Sequence, residues 1–215
     1  TEKDIEYTEQ IETSKKDNIK IMRSANIDRV TNETSIHLVL NLDGVGKGVI
    51  NTSIPFFDHM LNQLTFHSLV DLEMSAKGDV EIDCHHTVED CGICLGKAFS
   101  KAIGDKKGIN RYGFFLLPMD DALVRVALDF SGRPFLNWKV RFPTSTVGTF
   151  DLELVREFFN SFSINSQATL HVEMLDGLNS HHIAEAIFKG VGKAIKMAIA
   201  KNQSLGSIPS TKGIL

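Results

Sequence analysis

The sequence predicts an α+β fold made of two similar βαβ-type halves, each pairing β-strands with two helices. The main observation is an internal duplication, because a His-His-x-x-Glu motif begins at His85 and again at His181, 96 positions later. Both copies open a long amphipathic stretch that carries Gly-Lys-Ala, and alternating, strand-like segments precede both. We therefore expect halves over residues 21–108 and 109–200, each with one sheet face covered by helices.

The elements of the first half follow from hydrophobic periodicity. Apolar residues alternate with polar ones over 35–43 and recur at helical spacing over 55–66. The predicted elements are a strand over 35–43 with a turn at 43–46, a helix over 55–66, two strands over 72–82 around a turn at 77–79, and a helix over 87–103 that ends at Gly104.

The second half repeats this order. Its predicted elements are strands over 122–130 and 138–142, a helix over 152–162, a strand over 169–175 with a turn at Asp176-Gly177, and a helix over 183–200. The flanking segments are polar. We expect residues 1–20, which are rich in acids and lack an apolar stretch, to be a mobile extension and not a targeting peptide. Residues 201–215 are a C-terminal tail.

Composition excludes several classes of protein. The chain is 42% hydrophobic and 23% charged, which is typical of a folded globular protein and not of a disordered one. Its net charge of −4 weighs against a basic nucleic-acid-binding surface. Three clustered cysteines make a disulfide framework improbable and favour a reducing, cytoplasmic setting. We expect Cys91 and Cys94 to be buried and inert, and the glycine-rich segment 44–48 to be a turn.

The His-His-x-x-Glu motif is typical of a metal site. On a helix, its first histidine and its glutamate lie at i and i+4 on one face, close enough to hold one ion. The second histidine points about 100° away, since a helix turns once per 3.6 residues. Two copies therefore predict two sites, each taking a face from one copy and the spare histidine from the other. The residue types leave Zn, Mn, Fe, Co and Ni open.

Further ligands are expected on the shorter helices of the two halves. His59 precedes the first motif and Glu157 precedes the second, although either side chain is also acceptable as an ordinary surface residue. Four basic residues stand beside turns or near the second motif and suit phosphate oxygens, or are solvated charges: Arg111, Arg133, Lys189 and Lys212.

Several motifs in this order resemble the imidazoleglycerol-phosphate dehydratase family. They are Phe-Phe-Asp-His-Met at 56–60, His-His-Thr-Val-Glu-Asp at 85–90, Ser-Gly-Arg-Pro at 131–134, His-His-Ile-Ala-Glu-Ala at 181–186 and Ser-Thr-Lys-Gly at 210–213. The resemblance covers residues 21–215 and fits the monofunctional form. It implies a hydro-lyase of histidine biosynthesis that converts D-erythro-imidazole glycerol phosphate to imidazole acetol phosphate.

The resemblance also implies a fold of the ribosomal protein S5 domain 2-like kind, two Mn²⁺ ions per active site between subunits, and trimers assembled into a 24-mer, with no nucleic acid or membrane partner. The implied metal ligands are His59, His85, His86, Glu89, Glu157, His181, His182 and Glu185. Many relatives carry histidine in place of Glu157. Helix geometry then suggests one ion on His85, Glu89, Glu157 and His182, and the other on His59, His86, His181 and Glu185.

The implied substrate contacts extend over the whole chain. They are Glu33, His59, Gln63, His67, His85, Glu89, Arg111, Arg133, His181, Lys189, Ser210, Thr211, Lys212 and Gly213, of which the basic residues and the C-terminal tail hold the phosphate. The implied reaction binds the imidazole as imidazolate on the metal pair, with Glu33, Glu89 and Glu185 as the candidate catalytic carboxylates.

Three other functions stay open from the residues alone. A dinuclear metallohydrolase acting on a phosphoester would use the same His-His-x-x-Glu pair, but it would release phosphate. An RNA-binding module would share the fold, and a metal-storage assembly would share the ligands. Product analysis and the charge distribution separate these functions from a dehydratase.

Overall fold

The computed structural model describes residues 23–202 and 206–215. The extension predicted over 1–20 lies outside the described residues. The described residues form ten strands: β1 Ser24–Val30, β2 Thr34–Asn41, β3 Gly48–Asn51, β4 Asp71–Gly78, β5 Tyr112–Met119, β6 Ala122–Asp129, β7 Phe135–Lys139, β8 Thr146–Val147, β9 Phe150–Asp151 and β10 Thr169–Asp176. The helices within the described ranges are α1 Pro55–Ser68, α2 His85–Ile103, α3 Glu153–Ser166 and α4 Ser180–Ile199.

The two halves have the same topology, which confirms the predicted α+β fold with an internal duplication. The first sheet has the order β1-β2-β4-β3 and the second has the order β5-β6-β10-β7. In each sheet the last pair of strands is parallel and joined through a short helix, and the other pairs are antiparallel. The second half differs by a small β8–β9 hairpin inserted before α3.

The helices lie between the two sheets and pack across the halves. Each helix covers strands of its own half, while α1 contacts α4 and α2 contacts α3. The inward residues of the sheets, such as Leu38, Leu40 and Val126, are fully buried against them. A helix from one half thus lies beside a helix from the other half at both contacts.

Glycines allow the crossed helices to approach closely. A Cβ on Gly96 of α2 would lie 2.7 Å from the carbonyl oxygen of Phe162 in α3. A Cβ on Gly192 of α4 would lie 2.7 Å from the carbonyl oxygen of Leu64 in α1. Contacts this short exclude any side chain, so the two glycines set the same interhelical distance in both places.

Several sequence-based boundaries need correction. The strand predicted over 80–82 does not form, because β4 ends at Gly78 and the chain turns directly into α2. The strand predicted over 138–142 lies earlier, at Phe135–Lys139. Strands β1, β3 and β5 were not predicted, since β1 is a polar edge strand and β5 is apolar on both faces, so neither alternates clearly.

The structure confirms the expected burial of two cysteines and the turn predicted near Gly44. Cys91 and Cys94 are buried, and burial raises the pKa of the Cys94 thiol to about 11. Residues 44–47 of the predicted turn form a loop, and β3 begins at Gly48. The backbone N–H groups of Val45 and Lys47 both donate to the Asp71 carboxylate at 2.9 Å. Among the described helices, none has the length and apolar character needed to span a bilayer.

Candidate active site

Three of the eight predicted metal ligands meet where α1 packs on α4. Glu185 Oε2 lies 3.3 Å from His59 Nε2 and 3.1 Å from His181 Nε2. One ligand atom from each side chain falls within 4.8 Å of the others. Within residues 23–202 and 206–215, no other group of three histidine, cysteine or acidic side chains is gathered this closely. We call this group the α1–α4 face.

Local sequence explains how the α1–α4 face forms. The i, i+4 spacing places His181 and Glu185 on one side of α4. The Asn179 side chain caps that helix by accepting hydrogen bonds from the backbone N–H groups of His181 and His182, at 2.9 and 3.2 Å. The close approach at Gly192 then brings His59 of α1 to the same point. Each half therefore supplies part of the group.

The charge on Glu185 is compensated locally. Its side chain is buried, which opposes ionisation, but hydrogen bonds from Lys189, His181 and His59 outweigh burial and lower the pKa of this carboxyl. Lys189 Nζ lies 2.7 Å from Glu185 Oε1. The carboxylate is thus held ionised, in the form that ligates a cation.

A pseudo-equivalent group occupies the contact between α2 and α3. It consists of His85, Glu89 and Glu157, which we call the α2–α3 face. Glu157 stands five residues before Phe162, as His59 stands five residues before Leu64 at the other glycine contact. Here His85 Nε2 and Glu89 Oε2 are 3.9 Å apart, and Glu157 pairs with Arg156 at 3.3 Å. The three side chains are not drawn into one compact group.

The second histidine of each motif points elsewhere and has its own carboxylate partner. His86 Nδ1 lies 3.0 Å from Asp79 Oδ2, and His182 Nδ1 lies 2.5 Å from Asp121 Oδ1. The carboxylates raise the pKa of both imidazoles. A carboxylate on Nδ1 fixes the ring and leaves Nε2 as the atom for a metal, as in many histidine metal sites. Within one chain, neither histidine joins the compact group.

Sequence reasoning missed Asp79 and Asp121. Asp79 was interpreted only as a turn residue, and Asp121 lies between β5 and β6, where β5 itself was not predicted. The sequence did carry a signal, which was the position of each acid. Asp79 stands in the turn that leads from β4 to α2, and Asp121 stands in the turn of the β5–β6 hairpin. Asp121 also accepts from the backbone N–H groups of Leu178 and Asn179, which together with His182 lower its pKa.

Glu33 lies in the turn between β1 and β2, at the same end of the first half as His86. Its Oε2 is 3.7 Å from His86 Nδ1, and its side chain is 54% exposed. The turn therefore presents a largely free carboxylate beside one predicted ligand.

The predicted polar residues of α1 continue the α1–α4 face. His59, Gln63 and His67 recur every four residues and so share one side of the helix. His67 is half-buried, and burial together with the nearby charges of Lys193 and Lys189 lowers its pKa. A polar strip thus runs along α1 and α4 away from the compact group.

The C-terminal tail folds over a cleft of about 800 Å³. Among the predicted phosphate contacts, those lining it are Arg111, Arg133, Ser210, Thr211 and Lys212. Gly213 closes the turn of the tail by donating its N–H to the Ser210 carbonyl at 3.0 Å. Lys189 does not line this cleft, because it lies at the α1–α4 face on Glu185.

Arg111 has a structural task in addition to its predicted one. Its guanidinium is buried and donates to both Asp129 carboxylate oxygens, at 2.7 and 3.1 Å, and to the Pro209 carbonyl at 3.0 Å. These bonds tie the tail to β6, so Arg111 shapes the cleft. A phosphate contact from Arg111 stays a prediction.

Comparisons with known proteins agree with these motifs. A family model described as imidazoleglycerol-phosphate dehydratase matches residues 52–195. A protein of that name from Ruegeria pomeroyi is 60% identical over 195 residues, covering 90% of this chain and all of the relative. One from a Nostoc species is 55% identical over 196 residues, covering 91% of this chain and 94% of the relative.

Solved structures bearing the same name are also similar. The crystal structure from Staphylococcus aureus has a TM-score of 0.76 and 38% identity, covering 83% of this chain and 99% of the other. The structure from Pyrococcus furiosus has a TM-score of 0.77 and 36% identity, covering 88% of this chain and all of the other.

Proposed function

The chain belongs to the imidazoleglycerol-phosphate dehydratase family, and we propose that it removes water from D-erythro-imidazole glycerol phosphate to give imidazole acetol phosphate in histidine biosynthesis. The observation that carries this proposal is the compact group of His59, His181 and Glu185, assembled from both halves. A group of two imidazoles and one carboxylate supports a reaction that depends on a bound metal.

The donor set of the α1–α4 face fits a divalent transition metal. Two imidazoles and one ionised carboxylate converge, and this combination suits ions such as Mn²⁺. We propose two Mn²⁺ ions per active site, one on the α1–α4 face and one on the α2–α3 face. His59, His181 and Glu185 would hold one ion and His85, Glu89 and Glu157 the other, and bound ions would supply Lewis acidity to the imidazole ring of the substrate.

The proposal includes a homo-oligomer, with active sites shared between subunits. His86 and His182 lie outside the compact group of their own chain, and each is oriented by a carboxylate on Nδ1. A copy of the chain that brings His86 to the α1–α4 face of its neighbour would complete that ligand set, and His182 would do the same for the α2–α3 face. Trimers assembled into a 24-mer belong to this proposal.

The chain's own carboxylates supply the proton transfer. The reaction removes hydroxide from one carbon and a proton from its neighbour, which leaves an enol that tautomerises to the ketone. A base must reach the carbon-bound proton, and Glu33 is exposed and lies beside His86, so it is suited to this role. Glu89 and Glu185 are the other candidates, and Glu185 is restrained by Lys189.

Phosphate binding is proposed for the C-terminal cleft. Arg133 and Lys212 supply positive charge there, and Ser210 and Thr211 supply donors from the tail. Lys189 belongs to the proposed phosphate set only if a neighbouring subunit brings the cleft to the α1–α4 face. A cytoplasmic location is also proposed, in keeping with three free cysteines.

The test is an assay with imidazole glycerol phosphate in the presence of Mn²⁺, with and without a chelator. We expect metal-dependent formation of imidazole acetol phosphate with no release of inorganic phosphate. Phosphate release would favour the phosphoesterase instead. No ketone with any divalent metal would overturn the proposed function.

A second measurement tests the shared sites. The size of the chelated protein is compared with that of the Mn²⁺-loaded protein by light scattering. We expect chelation to weaken the subunit contacts, because each ion would lose ligands from two chains. An unchanged particle would contradict the placement of the metals between subunits.

A further inference from the structure

The turn that carries Glu33 is held by a buried carboxylate from α2. Asp90 follows Glu89 directly, and its side chain is 10% exposed. Its Oδ2 accepts a hydrogen bond from Thr34 Oγ1 at 2.5 Å, and its Oδ1 accepts from Arg29 Nη2 at 2.9 Å. Asp90 thus joins the helix that bears the first motif to both strands of the β1–β2 hairpin.

The hydrogen bonds that connect the Glu33 backbone to Asp90 run in one direction. The Thr34 hydroxyl donates to Asp90, because a carboxylate only accepts. Thr31 Oγ1 lies 3.1 Å from Thr34 Oγ1 and therefore donates to it. The backbone N–H groups of Glu33 and Thr34 donate in turn to Thr31 Oγ1, at 3.1 and 2.9 Å. A chain of aligned bonds connects the Glu33 backbone to Asp90.

The other side of the Glu33 backbone is fixed as well. Its carbonyl accepts from the Asp79 N–H at 3.2 Å, and the Asp79 carboxylate holds His86. The Glu33 backbone is thus tied on both sides, while its carboxylate is 54% exposed and lies 3.7 Å from His86. The backbone bonds therefore hold the Glu33 side chain in a fixed place and leave its carboxylate exposed.

The second half lacks this arrangement. The residue of its motif that corresponds to Asp90 is Ala186. Its hairpin turn is held instead by Asp121, whose carboxylate accepts from two backbone N–H groups and from His182. Asp121 thus holds the turn of the second half as Asp90 holds that of the first. Each turn keeps one exposed acid 3.7 Å from its histidine, which is Glu33 beside His86 and Asp120, with 77% of its side chain exposed, beside His182.

We propose that Asp90 is a positioning residue, which fixes the β1–β2 turn through Thr34 and Arg29 and so places the Glu33 carboxylate for proton transfer. This inference rests on the proposed dehydratase function. Removing Asp90 also leaves Arg29 without its carboxylate partner, and Arg29 Nε already has no hydrogen-bond partner among the described residues. A small displacement of a catalytic group is enough to slow a reaction strongly.

The chain offers a matched control at the other end of the same hairpin. Asp43 pairs with Arg23, with Oδ1 2.6 Å from Nη2, and this pair is also partly buried. Asp43→Asn breaks another Arg–Asp ion pair, which lies just beyond the open ends of β1 and β2, far along the hairpin from Glu33. It therefore reports the loss expected from weakening the hairpin alone.

The experiment compares Asp90→Asn, Asp43→Asn and Glu33→Gln by steady-state kinetics with Mn²⁺. We expect Asp90→Asn to lower kcat by about thirtyfold to a hundredfold with KM changed less than about threefold, since misplacement acts on the chemical step. Asp43→Asn should leave kcat within about twofold. Thr34→Val should lower kcat about tenfold, and Thr34→Ser, which keeps the hydroxyl, should restore it.

A double variant separates positioning from simple destabilisation. If Asp90 acts through Glu33, Asp90→Asn lowers kcat no further in a Glu33→Gln background. An equal loss in both backgrounds, or an equal loss in Asp43→Asn, overturns the inference. Faster amide exchange at Glu33 and Thr34 in Asp90→Asn, but not in Asp43→Asn, supports it independently of turnover.

The two failures are distinguishable. If the unsubstituted enzyme turns over the substrate but Asp90→Asn matches it, only the positioning role is overturned. If the unsubstituted enzyme makes no ketone, the proposed function fails, and the role assigned to Asp90 fails with it.

Discussion

The two ligand faces share a backbone but differ in their side chains. Both lie where a helix that begins with His-His-x-x-Glu packs against the shorter helix of the other half. At both contacts, a Cβ added to a glycine would lie 2.7 Å from a carbonyl oxygen of the shorter helix. In the α1–α4 face, three donors converge around a buried glutamate. In the α2–α3 face, Glu157 takes the place of His59 and turns toward Arg156.

The difference shows which part of a duplicated structure is free to diverge. Helix crossing depends on backbone contact, so it is the same in both halves. The polar residues around it are not under that constraint. Lys189 compensates Glu185, while the corresponding residue of the first motif helix is Ile93, and Asp90 corresponds to Ala186. The long helix of the second half therefore supplies His181 and Glu185 to the compact ligand group, and the long helix of the first half holds the Glu33 turn through Asp90.

The largest effect is expected from Glu185→Gln, which breaks the better-formed face. An amide is a poor metal ligand, so Mn²⁺ binding should fall by one ion per site, and turnover should drop on the order of a thousandfold. Calorimetric titration with Mn²⁺ and the ketone assay measure both. Glu173→Gln is the control, because Glu173 pairs with Arg125 on the outer sheet face. Full metal content in Glu185→Gln would contradict the assignment.

Gly192→Ala and Gly96→Ala test whether the crossings are equivalent. Each new methyl meets a carbonyl oxygen at 2.7 Å, so each should lower the free energy of unfolding by about 1 to 3 kcal/mol. Gly192→Ala should also weaken metal binding by moving α1 from α4. Urea unfolding and metal titration measure these effects, with Gly206→Ala as control, since no atom lies near that position. Identical metal affinity in Gly192→Ala and the parent would count against a site built by the crossing.

Glu157→His tests whether the missing imidazole explains the looser face. The substitution gives the α2–α3 face an imidazole, the donor that His59 provides in the α1–α4 face. Imidazole ligands favour later transition metals over Mn²⁺. We expect about threefold to tenfold tighter binding of Co²⁺ or Zn²⁺ at one site relative to Mn²⁺. Glu173→His, on the outer face of the second sheet where Glu173 pairs with Arg125, is the control. The same change in both variants would show that residue 157 does not face the metal.

The smallest effect concerns the Arg–Asp pair that closes the first hairpin of each half. Arg23 lowers the pKa of Asp43 through its hydrogen bonds. Because the pKa of Asp43 is lower in the folded state than in the unfolded state, the pair stabilises the fold fully at pH values above the ordinary carboxyl pKa of about 3.9. This stabilisation is lost as the pH falls through the pKa that Asp43 has in the folded state. Asp43→Asn should therefore cost about 1 kcal/mol at pH 7 and almost nothing once the pH lies below the folded value.

Unfolding by urea at both pH values measures this difference. Asp129→Asn, the counterpart in the second half, should cost more at pH 7, because Arg111 is buried and also holds Pro209. Equal losses in the free energy of unfolding would show that the two ion pairs stabilise the fold to the same extent.

Much of this architecture was predictable from the sequence, and the reasons for the gaps are physical. The duplicated motif gave both long helices and the α+β class, because residue spacing on a helix survives in sequence. Strand β5 was missed since it is apolar throughout, and Asp79 was interpreted as a turn because its histidine partner is set by the tertiary fold. The crossing of helices between halves depends on packing, which no local pattern encodes. The ligand set and the substrate contacts stay predictions.

The crossed helices also bear on how the chain is made. The first half emerges from the ribosome before the second half. Its helices α1 and α2 have apolar faces whose partners, α4 and α3, lie in the second half. During synthesis at about 5 to 20 residues per second, the apolar faces of α1 and α2 stay exposed for several seconds until α3 and α4 have been made. The nascent first half is therefore a natural client for chaperones, and a truncated product would be prone to aggregate.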